Sequence, residues 1–286
     1  MSNIEKLREI MAELRHAENG CPWDLAQNFA SIVPHTLEEA YEVAEAIENG
    51  DMDELRSELG DLLFQVIFYS RLAEEQGNFD FEQVVEHIID KLIRRHPHVF
   101  TPSEGERLQI LNAEEQTRAW EIHKAKERAA SIFGKHSALA GIAIALPALT
   151  RSVKLQKRAA HVGFDWPDVQ PVLDKVLEEL NEVREELDNG ANPARLEEEL
   201  GDLLFACTNL ARHIRVEPET ALRKAGRKFE RRFAHMEVMA QQHNNALADL
   251  GLDEWMLYWD RVKSEEHSDK DASSNVKVTP VDPAAL

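Results

Sequence analysis

Two acidic pairs stand close together in the second half of this chain. Glu179 and Glu182 are three residues apart, and so are Glu199 and Asp202. On a helix that spacing puts both members of a pair on one face. Between the pairs runs Asp188-Asn189-Gly190-Ala191-Asn192-Pro193, with residue types that end one helix and begin another. The four carboxylates are therefore expected to meet across an antiparallel helix pair. Like charges brought together repel unless a cation lies among them. An all-oxygen set suits a hard divalent ion, magnesium with manganese as a substitute.

The elements that must carry these acids are written around them. Val172, Val176, Leu180 and Val183 recur at helical spacing before the turn, and Leu196, Leu200 and Leu203 after it. The first half of the chain repeats the device. Glu38-Glu39-Ala40-Tyr41-Glu42 matches Glu178-Glu179-Leu180-Asn181-Glu182 at an offset of 140, and Glu58-Leu59-Gly60-Asp61 matches Glu199-Leu200-Gly201-Asp202 at 141. Asp61 and Asp202 border apolar runs, where an unpaired charge is costly. Lys91 and Arg95 correspond to Lys228 and Arg232, and Trp120 with Lys124 to Trp259 with Lys263. This is an internal duplication. One glutamate pair alone reads as solvated helix surface. Acids that recur while their neighbours change read as a metal site: Glu39, Glu42, Glu58 and Asp61 in one copy, Glu179, Glu182, Glu199 and Asp202 in the other. A Lys and an Arg four apart on one face, twice over, suit phosphate oxygens.

Helical periodicity runs throughout and no strand pattern of any length occurs, so the fold class is all-α, two tandem helical bundles. The expected segments are a first domain over 1–130, a linker over 131–137, a second domain over 138–263 and a disordered tail over 264–286. Within the first domain, helices are expected over 3–18, from Pro34 to Asn49, from Met52 to Glu75 and from Asp80 to His96. A loop over 97–112 and a helix over 112–130 should follow. A net charge of −20 across 286 residues argues against direct nucleic-acid or acidic-membrane binding. It leaves room for a polyanionic small ligand held by metal and a few cations. No apolar window is long enough to span a bilayer. The N-terminus has no signal-peptide pattern, and Cys21 and Cys207 form no disulfide framework, so a cytoplasmic protein is expected. Cys207 lies in an apolar run and is read as core.

Several stretches together resemble one family. These are the two Glu-x-x-Glu and Glu-x-x-Asp sets, Cys21-Pro22-Trp23-Asp24, Lys91 through Phe100, Gly163-Phe164-Asp165-Trp166 and Lys228 through Phe233. Over residues 3 to 263 the chain resembles the MazG nucleoside triphosphate pyrophosphohydrolases in their two-domain bacterial form. The resemblance implies an all-α, magnesium-dependent enzyme of broad specificity. It would convert ribo- and deoxynucleoside triphosphates to the monophosphate and pyrophosphate. It implies metal binding by the eight acids named above, with Glu38 and Glu178 assisting metal binding or water activation. Substrate contacts would come from Lys228, Arg232, Trp259 and Lys263, and in the first copy from Lys91, Arg95, Trp120 and Lys124. Arg195 stands where some relatives carry Lys. The second copy is expected to do most of the work, and a homodimer is expected. The alternative is a nucleotide- or alarmone-sensing regulatory protein whose bundles chiefly bind a partner.

Overall fold

The computed structural model describes residues 1–100, 115, 137–190, 192–243 and 250–274, with side chains in the last helix as far as Glu266. All regular structure among them is helical. The chain divides into two compact units, Met1–Lys126 and Glu127–Leu286.

In the first unit, α1 spans Asn3–Leu14 and starts from a Ser2/Glu5 capping box. Its end at Leu14 falls short of residue 18, because the chain turns into Asn19-Gly20 and the Cys-Pro-Trp-Asp segment, which forms the short helix α2, Pro22–Ala26. Helix α3, Phe29–Asn49, begins five residues before the expected Pro34. Asn28 caps it, accepting from the N–H groups of Ala30 and Ser31. A proline this near a helix start forfeits one backbone bond without ending the helix. Gly50, at φ 71°, closes α3 in the left-handed conformation that glycine adopts freely. Asp51 then caps α4, Met52–Glu75. Helix α5, Phe81–Arg95, opens on an Asp80/Gln83 capping box, and α6 is a single turn, Pro97–Phe100. Met11, Ile32, Ile67, Phe68 and Leu72 form the core, where α1, α3 and α4 converge.

The second unit contains α7, Ala148–His161, α8, Val169–Asp188, α9, Pro193–His213, α10, Pro218–Gln242, and α11, Leu252–Ser274. Helices α8 and α9 pack along their lengths, as α3 and α4 do. Met236, Met239 and Val262 make a second core between α10 and α11, with Trp255, Tyr258 and Trp259 against it.

Further expectations need correction. The stretch after Lys263, expected to be a disordered tail, continues the last helix as far as Ser274. Beyond Lys263 charge replaces apolar spacing as the support: Glu266 pairs with Arg231 and Arg232, and Glu265 with Arg261. Cys207 is exposed rather than core. It shares the outer side of α9 with Leu200 and Leu204, which are also exposed. The expected helix over 112–130, with Trp120 and Lys124, lies outside the described residues apart from Glu115, which is helical. Residues 131–136 of the expected linker lie outside them too.

Candidate active site

The antiparallel pairs bring the acids together as their spacing requires. In the second unit Glu179 from α8 meets Glu199 and Asp202 from α9, each offering an oxygen within 4.8 Å of the others. In the first unit Glu39, Glu58 and Asp61 make the same triad. The fourth acid of each set stands beside its triad. The neighbouring Glu179 carboxylate first, and burial second, raise the Glu182 pKa. The Glu42 charge acts on Glu58, whose pKa is raised first by burial and then by that neighbour. The apolar border hides different members than expected. Glu58, Glu179 and Glu199 are buried, whereas Asp61 and Asp202 are exposed. Glu58 and Asp61 share a face of α4, and within that face Glu58 is buried while Asp61 is exposed.

The two triads differ in their counter-charges. Lys175 Nζ lies 2.8 Å from both Glu178 and Glu179, and these two carboxylates hold its pKa above the usual lysine range. Arg195 reaches Glu199 at 2.7 Å and Glu198 at 2.9 Å. At the same repeat positions the first unit has His35 and Glu54. His35 comes only within 3.6 Å of Glu38. The Glu39 carboxyl is pushed up by burial and by Asp61, with Gln65 opposing from 3.4 Å. Among the described residues, the second triad is thus charge-compensated and the first is not. One buried oxygen, Oε2 of Glu179, has no hydrogen-bond partner. A buried carboxylate oxygen without a donor, among other oxygens within 4.8 Å, fits a hard cation.

The remaining expected contacts cluster on α10 and α11. Arg232 stacks over the Trp259 ring at 5.4 Å and pairs with Glu266 at 2.8 Å. Trp259 packs on Phe229 as well. Lys263 pairs with Asp260 at 2.9 Å, and Lys228 is exposed. Among the described residues, no hydrogen bond or ion pair joins these four to the triad. Lys91 and Arg95 are half-buried on α5, and Trp120 and Lys124 lie outside the described residues.

Glu266 yields a pH prediction. Arg232 first and Arg231 second hold its carboxyl at about 2, below the ordinary 4.5. A depressed folded-state value stabilises fully above the ordinary pKa, and the effect fades as pH falls toward the folded value. Glu266→Gln should therefore lower the melting temperature of the intact chain at pH 7, and the gap should close between pH 4.5 and 2. A gap that is absent at pH 7, or constant with pH, would count against this pairing.

Sequence reasoning missed a cavity of about 600 Å³ in the second unit. Glu179 and Asp202 of the triad border it, with Lys175 beside them. Trp166, Phe164 and Phe205 supply aromatic walls and Gln156 and Asn209 polar ones. Arg212 closes one side, donating to Asp165 at 2.9 Å and holding that carboxyl below the usual range. A signal was present in α7. Gln156 interrupts the stripe Leu149, Val153, Ala160 at core spacing and is buried, and a buried amide in an apolar register calls for a polar purpose.

Comparison with known proteins agrees with this architecture. The model of the MazG nucleotide pyrophosphohydrolase domain matches the chain twice, over residues 27–100 and 168–237. The chain is 50% identical over 267 residues to a nucleoside triphosphate pyrophosphohydrolase of Escherichia coli, covering 93% of this chain and 99% of that protein. It is 41% identical over 265 residues to the nucleoside triphosphate pyrophosphohydrolase/pyrophosphatase MazG of Thermotoga maritima, covering 93% and 97%. With a nucleoside triphosphate pyrophosphohydrolase of Mycolicibacterium smegmatis the identity is 28% over 262 residues, covering 91% and 71%.

Proposed function

The chain belongs to the MazG family of nucleotide pyrophosphohydrolases, and from that membership we propose that it hydrolyses nucleoside triphosphates to the monophosphate and pyrophosphate, chiefly in its second unit. One observation carries the choice of unit: the second triad opens on a ligand-sized cavity that shares Glu179 and Asp202 with it. The groove of about 450 Å³ in the first unit is bordered by none of Glu39, Glu58 and Asp61.

Glu179, Glu182, Glu199 and Asp202 would hold the divalent cation, magnesium by the hardness of its ligands. When bound, it offsets negative charge on the phosphoryl oxygens. Water attacks the α-phosphorus, a new P–O bond forms, and the bond from that phosphorus to the bridging oxygen of the leaving pyrophosphate breaks. Glu178, exposed and anchored by Lys175 at 2.8 Å, accepts the water's proton. Lys175 keeps Glu178 and Glu179 at a fixed separation. Arg195 orients Glu199. Lys228 and Arg232 supply positive charge for the departing phosphates; in the free chain Arg232 is pre-positioned by Trp259 and Glu266. Assays of phosphate release from mixed nucleotides decide the reaction. Orthophosphate should appear only when inorganic pyrophosphatase is added. Direct release of orthophosphate from the γ position would refute the α-phosphorus mechanism.

A homodimer belongs to the same reading. Leu177, Leu180, Leu200 and Leu204 leave an exposed apolar stripe on α8 and α9, and Leu37, Tyr41, Leu59 and Leu63 leave one on α3 and α4. Two copies that cover such stripes remove apolar area from water. Light scattering at micromolar concentration should give twice the chain mass, and Leu204→Glu should reduce it. A fully active monomer would refute this.

A further inference from the structure

We propose that Glu266 is a resident anion at the phosphate-binding end of α10: it holds Arg232 in the empty chain, competes with the substrate's phosphates for it, and reclaims it as pyrophosphate leaves. The inference rests on the triphosphate reading above and names what the phosphates must displace. Glu266 acts through Arg232 and is therefore a positioning residue.

The geometry is that of an anion site already filled. Glu266 Oε2 accepts from Arg232 Nε at 2.9 Å and lies 2.8 Å from its Nη2. Oε1 accepts from Arg231 Nε at 3.2 Å and Nη2 at 2.8 Å. Consecutive residues on a helix point about 100° apart, so Arg231 and Arg232 would ordinarily diverge. Here both close on one carboxylate, as arginines close on a phosphate. A phosphate that takes the same edge of Arg232 must first displace Glu266.

Trp259 lets the arginine change partners and keep its place. Its ring lies 5.4 Å from Arg232 Cζ, and such stacking uses the face of the guanidinium and none of its N–H groups. Trp259, Val262 and Glu266 lie three and four residues apart, on one face of α11. Val262 is buried with Met236 and Met239 of α10. The stack and this core keep the two helices together when the ion pair opens. The side chains of Arg232 and Glu266 are 15% and 19% exposed, so an anion from solvent can reach them.

Charge supplies the competition. Arg232 and then Arg231 hold the Glu266 carboxyl at about 2, so it is ionised at neutral pH. Lys263, three residues before it, pairs with Asp260 at 2.9 Å instead. A triphosphate and Glu266 carry like charge and repel each other at a shared partner. The phosphates prevail by their number of charges and by Lys228, exposed one turn before Arg232 on the same face. Pyrophosphate cut from the nucleoside has lost the nucleoside's contacts, and Glu266 then takes Arg232 back.

The arrangement is written twice in the sequence. Arg94-Arg95, Trp120, Lys124 and Glu127 correspond to Arg231-Arg232, Trp259, Lys263 and Glu266. Between the Lys and the Glu the residues differ, Ala125-Lys126 against Ser264-Glu265. An acid that only solvates a helix end would be free to vary with them. Glu127 itself lies outside the described residues.

The test titrates the full chain calorimetrically with inorganic pyrophosphate and magnesium. Glu266→Gln keeps the size and one acceptor oxygen but no charge, and should bind pyrophosphate about tenfold tighter than the parent. Glu265→Gln removes the same charge one residue away, from a carboxylate paired with Arg261, and should bind as the parent does. Glu266→Asp keeps the charge but falls one methylene short of both arginines, so it should show part of the gain, about threefold. In ATP turnover, Glu266→Gln should lower KM and the inhibition constant of pyrophosphate together, while kcat does not rise. A residue that only braces two helices gives the reverse, weaker binding on its removal. Circular dichroism reports folding. No gain in whichever Glu266 variant folds overturns the proposal, and so does an equal gain in Glu265→Gln. Failure of the triphosphate reading shows separately, as ATP left intact by the parent, because the pyrophosphate titration needs no turnover.

Discussion

Glu179→Gln is expected to lower kcat on nucleoside triphosphates by about 10²–10⁴-fold, while Glu39→Gln lowers it by less than about tenfold. Glu179 is buried, Lys175 fixes one face of its carboxylate and its Oε2 has no partner. The amide that replaces it removes one negative charge and points an N–H₂ group into a set of acceptors, where a hard cation needs oxygen. Folding should survive, because neutralising one member of a carboxylate triad also relieves repulsion with Glu199 and Asp202. Glu39 occupies the matching place in the first unit, but the groove of that unit is not bordered by its triad, and Glu54 stands where Arg195 compensates charge in the second. Both variants need the same nucleotides, a thermal melt and a manganese titration. The titration separates a lost metal site from a lost fold. Near-complete inactivation by Glu39→Gln with Glu179→Gln almost intact would move the principal site to the first unit.

The acids were legible because a helix converts spacing into position: pairs three apart, a breaker between them and a repeat elsewhere leave little freedom for where the carboxylates go. The all-helical fold followed from the same periodicity. Which carboxylates are buried was not legible. Glu199 and Asp202 share a face, and only the partner helix decides that Glu199 turns inward. The start of α3 lies earlier than Pro34 suggests, because proline favours a first helical turn but Asn28 caps the helix through two backbone N–H groups. Leu200, Leu204 and Cys207 look like core on paper since periodicity reports an apolar face and not what covers it. The cavity was hidden for a related reason. Gln156 and Asn209 are 53 positions apart in the chain, and nothing local says that α7 and α9 meet. Comparison of the repeats column by column does reveal it, through Phe68 against Asn209.

That column also separates a packing residue from a binding residue by stability alone. Phe68→Ala should destabilise the protein by about 3–5 kcal/mol, the range for emptying a buried aromatic site. Phe68 is 1% exposed, meets Phe64 edge-on at 6.1 Å and lies under the Arg15 guanidinium at 5.4 Å. Met11, Ile32, Ile67 and Leu72 close around it, so α1, α3 and α4 cannot collapse onto the void without moving together. Asn209→Ala, at the same register of the second unit, removes two hydrogen bonds from Arg212, which keeps Asp165. It fills no core and leaves no apolar void, so its cost should be about 1 kcal/mol. Urea unfolding of the intact chain, followed by circular dichroism, measures both. The first change should shift the transition of one unit to much lower denaturant, and the second should leave both transitions nearly in place while weakening nucleotide binding. If the two substitutions destabilise equally, Asn209 is a packing residue like its counterpart, and the asymmetry between filled and open repeats disappears with it.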